Sequence, residues 1–169
     1  MTAKHFFKAL LPALCCLLLV ACGFHLRGSM DLPFRSIFLG IDPYSDFAIA
    51  VKREIGYSGT TRIASQPDDA DVRLQVVHDF REKDILGLNS AGAVSAYQLR
   101  QYFSFRLVGR DGREITPLSE ISVIRDISFK DALALAKEQE EKVIYAEMQE
   151  DVIQQLIRRL AATRMPEAK

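Results

Sequence analysis

The sequence is poor in the residues that build reactive or cross-linked sites. It contains three cysteines, three histidines and no tryptophan among 169 residues. All three cysteines fall within the first 22 residues, so no cysteine pair can cross-link the rest of the chain. The Cys/His spacing of a zinc site and the glycine loop of a phosphate site are both missing. These absences argue against a disulfide scaffold, a metal centre and the common nucleotide-dependent enzymes.

An excess of charge of either sign is also missing. Lys and Arg together number 22, and Asp and Glu together number 22. A chain with no net charge exerts no general attraction on nucleic acid, so we predict no nucleic-acid partner. Long hydrophobic runs are absent as well. The longest, residues 9–21, has 13 residues, whereas a membrane-spanning helix needs about 20.

That short apolar run is instead typical of an export signal. Lys4 and Lys8 precede it, as in a positively charged n-region. It ends in the sequence LVAC at residues 19–22, where a small residue before cysteine matches the bacterial lipoprotein cleavage site. We predict cleavage between Ala21 and Cys22, with lipid attached to the Cys22 thiol. An ordinary signal peptide or a membrane anchor is the alternative.

Lipid attachment at this cysteine would tether the mature chain to a membrane. Each buried methylene contributes about 0.8 kcal/mol, so three acyl chains would make release negligible. Gly23 follows the cysteine and is compatible with sorting to the outer membrane. We therefore expect three parts: a cleaved signal at residues 1–21, a lipid-anchored leader at 22–34 and a single domain at 35–165.

The domain shows the pattern of an α+β fold. Alternating or β-rich segments predict four strands, and two segments with helical spacing predict helices. We expect a two-layer sandwich in which a four-stranded mixed or antiparallel sheet carries both helices on one face. The predicted strands are 35–41, 72–81, 97–107 and 121–129, with a possible short strand at 62–64; the predicted helices are 42–56 and 131–163.

The alternation also assigns side chains to the two faces of the sheet. His78 and Phe80 continue the apolar face that begins at Val72, so His78 is expected in the core rather than at a metal. The exposed face is either an ordinary solvated surface or a surface for a phosphorylated amphipathic ligand or a protein, since arginine suits phosphate contacts. Its predicted members are Arg73, Gln75, Arg81, Gln98, Arg100, Tyr102 and Arg106. We find no catalytic arrangement and predict that the protein is not an enzyme.

Several segments resemble one known family. Residues 22–28 read CGFHLRG, which resembles the start of mature LptE, the family of lipopolysaccharide-assembly lipoproteins. The resemblance extends in order along essentially the whole mature chain. It includes YQL at 97–99, ALAKE at 134–138, EM at 147–148 and QLIRRL at 155–160.

The resemblance implies a structural role in the envelope. Members of the family are outer-membrane lipoproteins of Gram-negative bacteria that sit as a plug inside the LptD β-barrel. The pair forms the translocon that places lipopolysaccharide in the outer leaflet, and LptE is needed to assemble the barrel. The family fold has two helices on a four-stranded sheet, and no cofactor or metal is implied.

The resemblance also indicates residues for binding lipopolysaccharide. Of the basic positions linked with this ligand in the family, one falls on Lys137; a solvated helix lysine is the alternative interpretation. The second belongs to the loop before YQ, which here reads LGLNSAG at 86–92 and has no arginine. Lys83, Arg100 and Lys130 are candidates to replace it.

A second function of a different class stays open. The chain could be a free-standing lipid-binding lipoprotein or carrier without a stable barrel partner. The sequence favours the plug, because no long apolar pattern suited to line a groove is left once the core is filled.

Overall fold

Five strands form one mixed sheet, and two helices pack against one of its faces. A computed structural model describes residues 30–129 and 134–165. The predicted α+β class with both helices on one face is confirmed. The sheet has five strands rather than four, because the short segment at 62–63 pairs with its edge. In chain order the elements are β1 (Ser36–Gly40), α1 (Asp46–Ser58), β2 (Arg62–Ile63), β3 (Val72–Leu88), β4 (Val94–Gly109), β5 (Glu114–Ser128) and α2 (Ala134–Ala161).

The sheet order is β2-β1-β3-β4-β5. Strand β1 pairs in parallel with β2 and with β3, and α1 is the crossover between β1 and β2, as parallel neighbours require. Strands β3, β4 and β5 form an antiparallel meander. The β3–β4 hairpin is long: β3 has 17 residues, which corresponds to roughly 55 Å of extended chain.

Helix α1 begins and ends a few residues later than the sequence predicts. The Asp42 carboxylate accepts a hydrogen bond from the Tyr44 backbone N–H at 3.1 Å and so holds a turn before the helix. Ser45 is the actual N-cap, and its Oγ accepts from the Ala48 N–H at 3.1 Å. The helix stops at Gly59 rather than at residue 56, because Gly59 adopts the left-handed conformation with φ 67°.

One continuous core lies between the sheet and the helices. The rings of Phe47 in α1 and Phe103 in β4 are 5.0 Å apart at their centroids. Helix α2 contributes side chains that are almost entirely buried, such as Met148 and Leu156. Leu32, which precedes β1, is also buried in this core.

A β-bulge interrupts the alternation of β3. Val76 pairs with Phe105 and His78 pairs with Ser104, so Val77 is an extra residue with no partner on β4. From His78 to Ile85, residues with odd numbers face the helices and residues with even numbers face away, until the register shifts again after Ile85. Positions 78–85 are therefore on the face opposite to the one that simple alternation predicts.

Three predictions about β3 are wrong for this reason. His78 and Phe80 are exposed on the face without helices, rather than buried in the core. Arg81 lies on the helix face, where its Nη2 donates to Gln149 Oε1 of α2 at 3.0 Å. The face assignment in β4 holds, since Leu99 and Phe103 are buried and alternate with the predicted exposed-face residues.

Several predictions fall outside the residues that the structure describes. These are the signal at 1–21, the Ala21–Cys22 cleavage site, the first part of the leader and Lys130. Helix α2 is described from Ala134 to Ala161, within the predicted span of 131–163.

Candidate functional site

Two of the predicted ligand-binding residues, Lys83 and Lys137, lie toward the end of the molecule where the β3–β4 hairpin turns. There the end of β5 lies beside β4, since the Phe129 N–H donates to the Ser95 carbonyl at 2.8 Å. The turn is closed by Asn89, whose Oδ1 accepts from the N–H groups of Ala91 and Ala93 at 3.0 and 2.9 Å. We call this region the hairpin end.

Apolar side chains project into solvent close to this turn. Ile85, Leu86 and Leu88 have 62%, 52% and 60% of their surfaces exposed. All three are large apolar residues of β3, and only Gly87 separates Leu86 from Leu88. An exposed apolar group of this kind is typical of a contact with lipid or with another protein.

Lys83 lies on the helix face of β3, near these apolar residues. Its Nζ donates to Glu141 Oε2 of α2 at 2.5 Å and lies 4.2 Å from the centroid of the Tyr97 ring. The hydrogen bond to Glu141 raises the pKa of Lys83, although partial desolvation acts in the opposite direction. Glu141 and the Tyr97 ring thus position the Lys83 ammonium group.

Lys137 at the start of α2 belongs to the same group of side chains. Its Nζ lies 4.9 Å from the centroid of the Phe129 ring, within range of a cation–π contact. The Phe129 and Tyr97 rings meet edge to face, with centroids 6.1 Å apart. The ammonium groups of Lys83 and Lys137 thus each lie over one aromatic ring, and the two rings contact each other. We refer to Lys83, Tyr97, Phe129 and Lys137 as the lysine–aromatic cluster.

Polar contacts hold this part of α2 against the hairpin. The Tyr145 hydroxyl donates to the Glu82 carbonyl at 3.2 Å, and the Arg81 guanidinium lies 4.8 Å from the Tyr145 ring centroid. Arg125 of β5 forms an ion pair with Asp151. Farther along the helix, buried apolar residues such as Val152, Leu156 and Leu160 add the main contacts with the core.

Arg100 is separated from the lysine–aromatic cluster. It lies on the face of the sheet without helices, where its Nε donates to Gln98 Oε1 at 2.8 Å and lies 3.9 Å from Asp84 Oδ2. Next to it, the Phe80 and Tyr102 rings stack with centroids 4.9 Å apart. Of the four basic residues that the sequence indicated, the structure brings together Lys83 and Lys137 only, and Lys130 is outside the described residues.

Tyr97, Phe129 and Glu141 complete this site but were not among the predicted site residues. Tyr97 lies on the helix face of β4, paired with Ile85, and its ring lies beneath the Lys83 ammonium group. The contact between Lys83 and Glu141 joins positions 58 apart in the chain. Knowledge of the bulge at Val77 would be needed to predict it.

The described residues, 30–129 and 134–165, also bear on other kinds of site. Within these ranges no group of His, Cys, Asp and Glu side chains is arranged to hold a metal ion. No helix in the same part of the chain is long and apolar enough to cross a membrane. A cavity of about 430 Å³ opens at the far end of β1, lined by residues that include Phe38, Ile41 and Ile63.

Comparison with known proteins gives consistent matches along the chain. The family model described as LptE, lipopolysaccharide-assembly, matches residues 34–160. An "LPS-assembly lipoprotein LptE" from Yersinia enterocolitica is 28% identical over 170 residues, which cover 98% of this chain and 81% of that protein. A protein of the same name from Pectobacterium atrosepticum is 29% identical over 161 residues, covering 93% and 86%.

Solved structures with the same fold are found among bacterial lipoproteins. The solution structure of an uncharacterized lipoprotein B from Nitrosomonas europaea matches with a TM-score of 0.70 and 31% identity, over 83% of this chain and 91% of that one. The crystal structure of rare lipoprotein B from Shewanella oneidensis matches with a TM-score of 0.66 and 22% identity, over 76% and 95%. At 22% identity, the match to the Shewanella oneidensis protein shows a shared fold only.

Proposed function

The chain belongs to the LptE family of lipopolysaccharide-assembly proteins, and from this premise we propose that it plugs and helps to assemble an LptD β-barrel in the outer membrane. We further propose that it binds lipopolysaccharide while this lipid is inserted into the outer leaflet. The match to the family model across residues 34–160 carries the proposal. The role has no catalytic step and requires no cofactor.

The proposed location depends on the N-terminal sequence. Residues 1–21 would be removed as a signal, and Cys22 would carry acyl chains that hold the protein on the periplasmic side of the outer membrane. The leader at 22–34 would connect this anchor to the domain at 35–165. Tethering would raise the effective concentration of the domain beside the barrel wall.

The surface of the sheet supports the proposed place inside a barrel. The lumen of a transmembrane barrel is polar, so a plug needs a polar surface rich in hydrogen-bonding groups. On the face without helices, Gln98 Nε2 donates to Asp126 Oδ1 at 3.0 Å and Arg106 Nε donates to Gln75 Oε1 at 2.8 Å. These side chains form hydrogen-bonded pairs across neighbouring strands and give this part of the face a polar surface.

The hairpin end supports the proposed contact with lipopolysaccharide. Its ligand is an amphipathic lipid with phosphate groups, which calls for apolar and cationic side chains close together. The lysine–aromatic cluster offers two ammonium groups, and the exposed side chain of Ile85, which pairs with Tyr97, lies beside it. The cavity of about 430 Å³ is separate from this cluster, because other residues line it. Its volume is typical of a site for one small ligand.

Co-purification tests the plug. The tagged lipoprotein is extracted from the outer membrane with mild detergent, and its partners are identified by mass spectrometry. We expect a large β-barrel near a 1:1 ratio, and misassembly of that barrel when the lipoprotein is depleted. Recovery of the lipoprotein without a barrel, together with tight lipopolysaccharide binding, would favour the free-standing carrier instead.

Charge reversal tests the contact with lipopolysaccharide. We expect Lys137→Asp to weaken binding about ten-fold, the size of one charge-assisted contact. Lys142→Asp is the matched control, because Lys142 is exposed on the same helix and changes the net charge equally. Equal binding by wild type and Lys137→Asp would remove Lys137 from the site.

A further inference from the structure

Lys83 is already occupied by a carboxylate of its own chain. Glu141 Oε2 lies 2.5 Å from Lys83 Nζ, and the two side chains are 23% and 36% exposed. The Tyr97 ring lies beneath the same ammonium group at 4.2 Å. An incoming phosphate group that binds Lys83 must therefore take the place of Glu141.

Glu141 differs from the other acidic residues near the start of α2. Glu138 and Glu140 are exposed, and among the described residues neither forms an ion pair. Glu141 is less exposed and faces β3. Its position is thus suited to neutralising Lys83, whereas its neighbours contribute only to the general charge of the helix.

We propose that Glu141 is an internal competitor for the lipid phosphate: it occupies Lys83 in the free protein and leaves this lysine when a phosphate group binds there. The inference rests on the proposed binding of lipopolysaccharide. Lys137 carries no such carboxylate in the described contacts, and its ammonium group meets the Phe129 ring instead. Phosphate groups would bind Lys137 directly and would bind Lys83 only by displacing Glu141.

Such competition would keep the affinity for lipopolysaccharide moderate. A moderate affinity suits a protein that releases the lipid again after binding it. Exposed ion pairs favour the closed form by a factor of about 1.4 to 5, so the pair would be closed for most of the time. The apparent affinity of a ligand falls by the fraction of protein that is competent to bind it. Removal of the competitor should therefore tighten binding by about two- to six-fold.

The test uses the full-length acylated protein in detergent and purified lipopolysaccharide. Four variants are compared with wild type: Glu141→Gln, Glu140→Gln, Lys83→Gln and the double variant Glu141→Gln/Lys83→Gln. We expect Glu141→Gln to tighten binding by about two- to six-fold. Glu140→Gln removes the same charge from the same helix and should change binding much less. In the Lys83→Gln background, Glu141→Gln should give no gain.

A second ligand separates phosphate exchange from other effects. Lipopolysaccharide whose phosphates have been removed enzymatically should bind wild type and Glu141→Gln equally. The proposal is overturned if Glu141→Gln gives no gain, if Glu140→Gln gives the same gain, or if the gain persists without Lys83 or without phosphates. If wild type binds no lipopolysaccharide at all, the proposed ligand itself is wrong and the inference falls with it.

Discussion

Tyr97 supports two other members of the lysine–aromatic cluster, and its replacement by leucine tests whether the ring is what matters. The ring lies 4.2 Å from Lys83 Nζ and meets the Phe129 ring edge to face at 6.1 Å and 70°. Leucine keeps an apolar side chain at this position but has no π face. Tyr97→Leu therefore removes both contacts and retains most of the hydrophobic burial.

The expected loss of stability follows from these two contacts. A cation–π contact at an exposed site contributes about 0.5–1 kcal/mol. An aromatic pair contributes about 0.5–1.5 kcal/mol beyond its buried area. We expect Tyr97→Leu to lower the free energy of unfolding by about 1–2.5 kcal/mol, the sum of these two ranges.

Urea unfolding of a form without acyl chains, followed by circular dichroism, measures this change. Tyr97→Phe is the control, because it keeps the ring and removes only the hydroxyl group; it should lie within about 0.5 kcal/mol of wild type. Lipopolysaccharide binding should weaken in Tyr97→Leu and stay unchanged in Tyr97→Phe. Equal losses in the two variants would refute the argument, since they would place the effect in the hydroxyl group.

Three further predictions concern the sheet and helix α1. A Cβ atom on Gly40 would lie 2.7 Å from the Leu74 carbonyl oxygen of the neighbouring strand, so Gly40→Ala should destabilise the fold by about 1–3 kcal/mol; Gly56→Ala, in the open surroundings of α1, should instead stabilise it by about 0.5–1 kcal/mol. Urea titration of both variants decides this, and a stable Gly40→Ala would show that β1 and β3 are less closely packed. Asp79 lies opposite Phe103 on the helix face, and burial raises its pKa although Arg81 acts against this. Because the folded state then binds a proton more readily than the unfolded state, stability falls as pH rises through the folded pKa. Asp79→Asn should therefore be more stable than wild type at pH 7, with the gain disappearing below roughly pH 4; a gain that is independent of pH would contradict this cause.

The sequence predicts the fold well where alternation is uninterrupted. In β4, the alternating apolar residues from Tyr97 to Leu107 face the helices as predicted, because β4 has no extra residue in this stretch. The amphipathic pattern likewise places α2 over the same face. Local pattern suffices in these elements because burial of one face decides the register.

Prediction fails in the outer half of β3 because the bulge has no local signal. Val76 and Val77 are equally apolar, and nothing in the sequence says which of them leaves the ladder. Because of this error, Arg81 is predicted on the wrong face and the contact between Lys83 and Glu141 is not predicted. At α1, two capping residues compete, and the preference for Ser45 over Asp42 depends on the turn between them. The candidate site was thus predicted in part: the resemblance indicated Lys137, whereas its aromatic support comes from contacts between strands.

The two edges of the sheet have a consequence for the solubility of the protein. Exposed edge strands are templates for pairing with other chains, and proteins restrict this with short strands, prolines and charges. At one edge β2 has only two residues. At the other, Pro117 of β5 provides no N–H donor and lies in the stretch where the β4–β5 register shifts, and Glu120 and Arg125 place charges along the same strand. In the proposed role beside an unfinished β-barrel, the protein would meet many unpaired strands, and these edges would resist pairing with them.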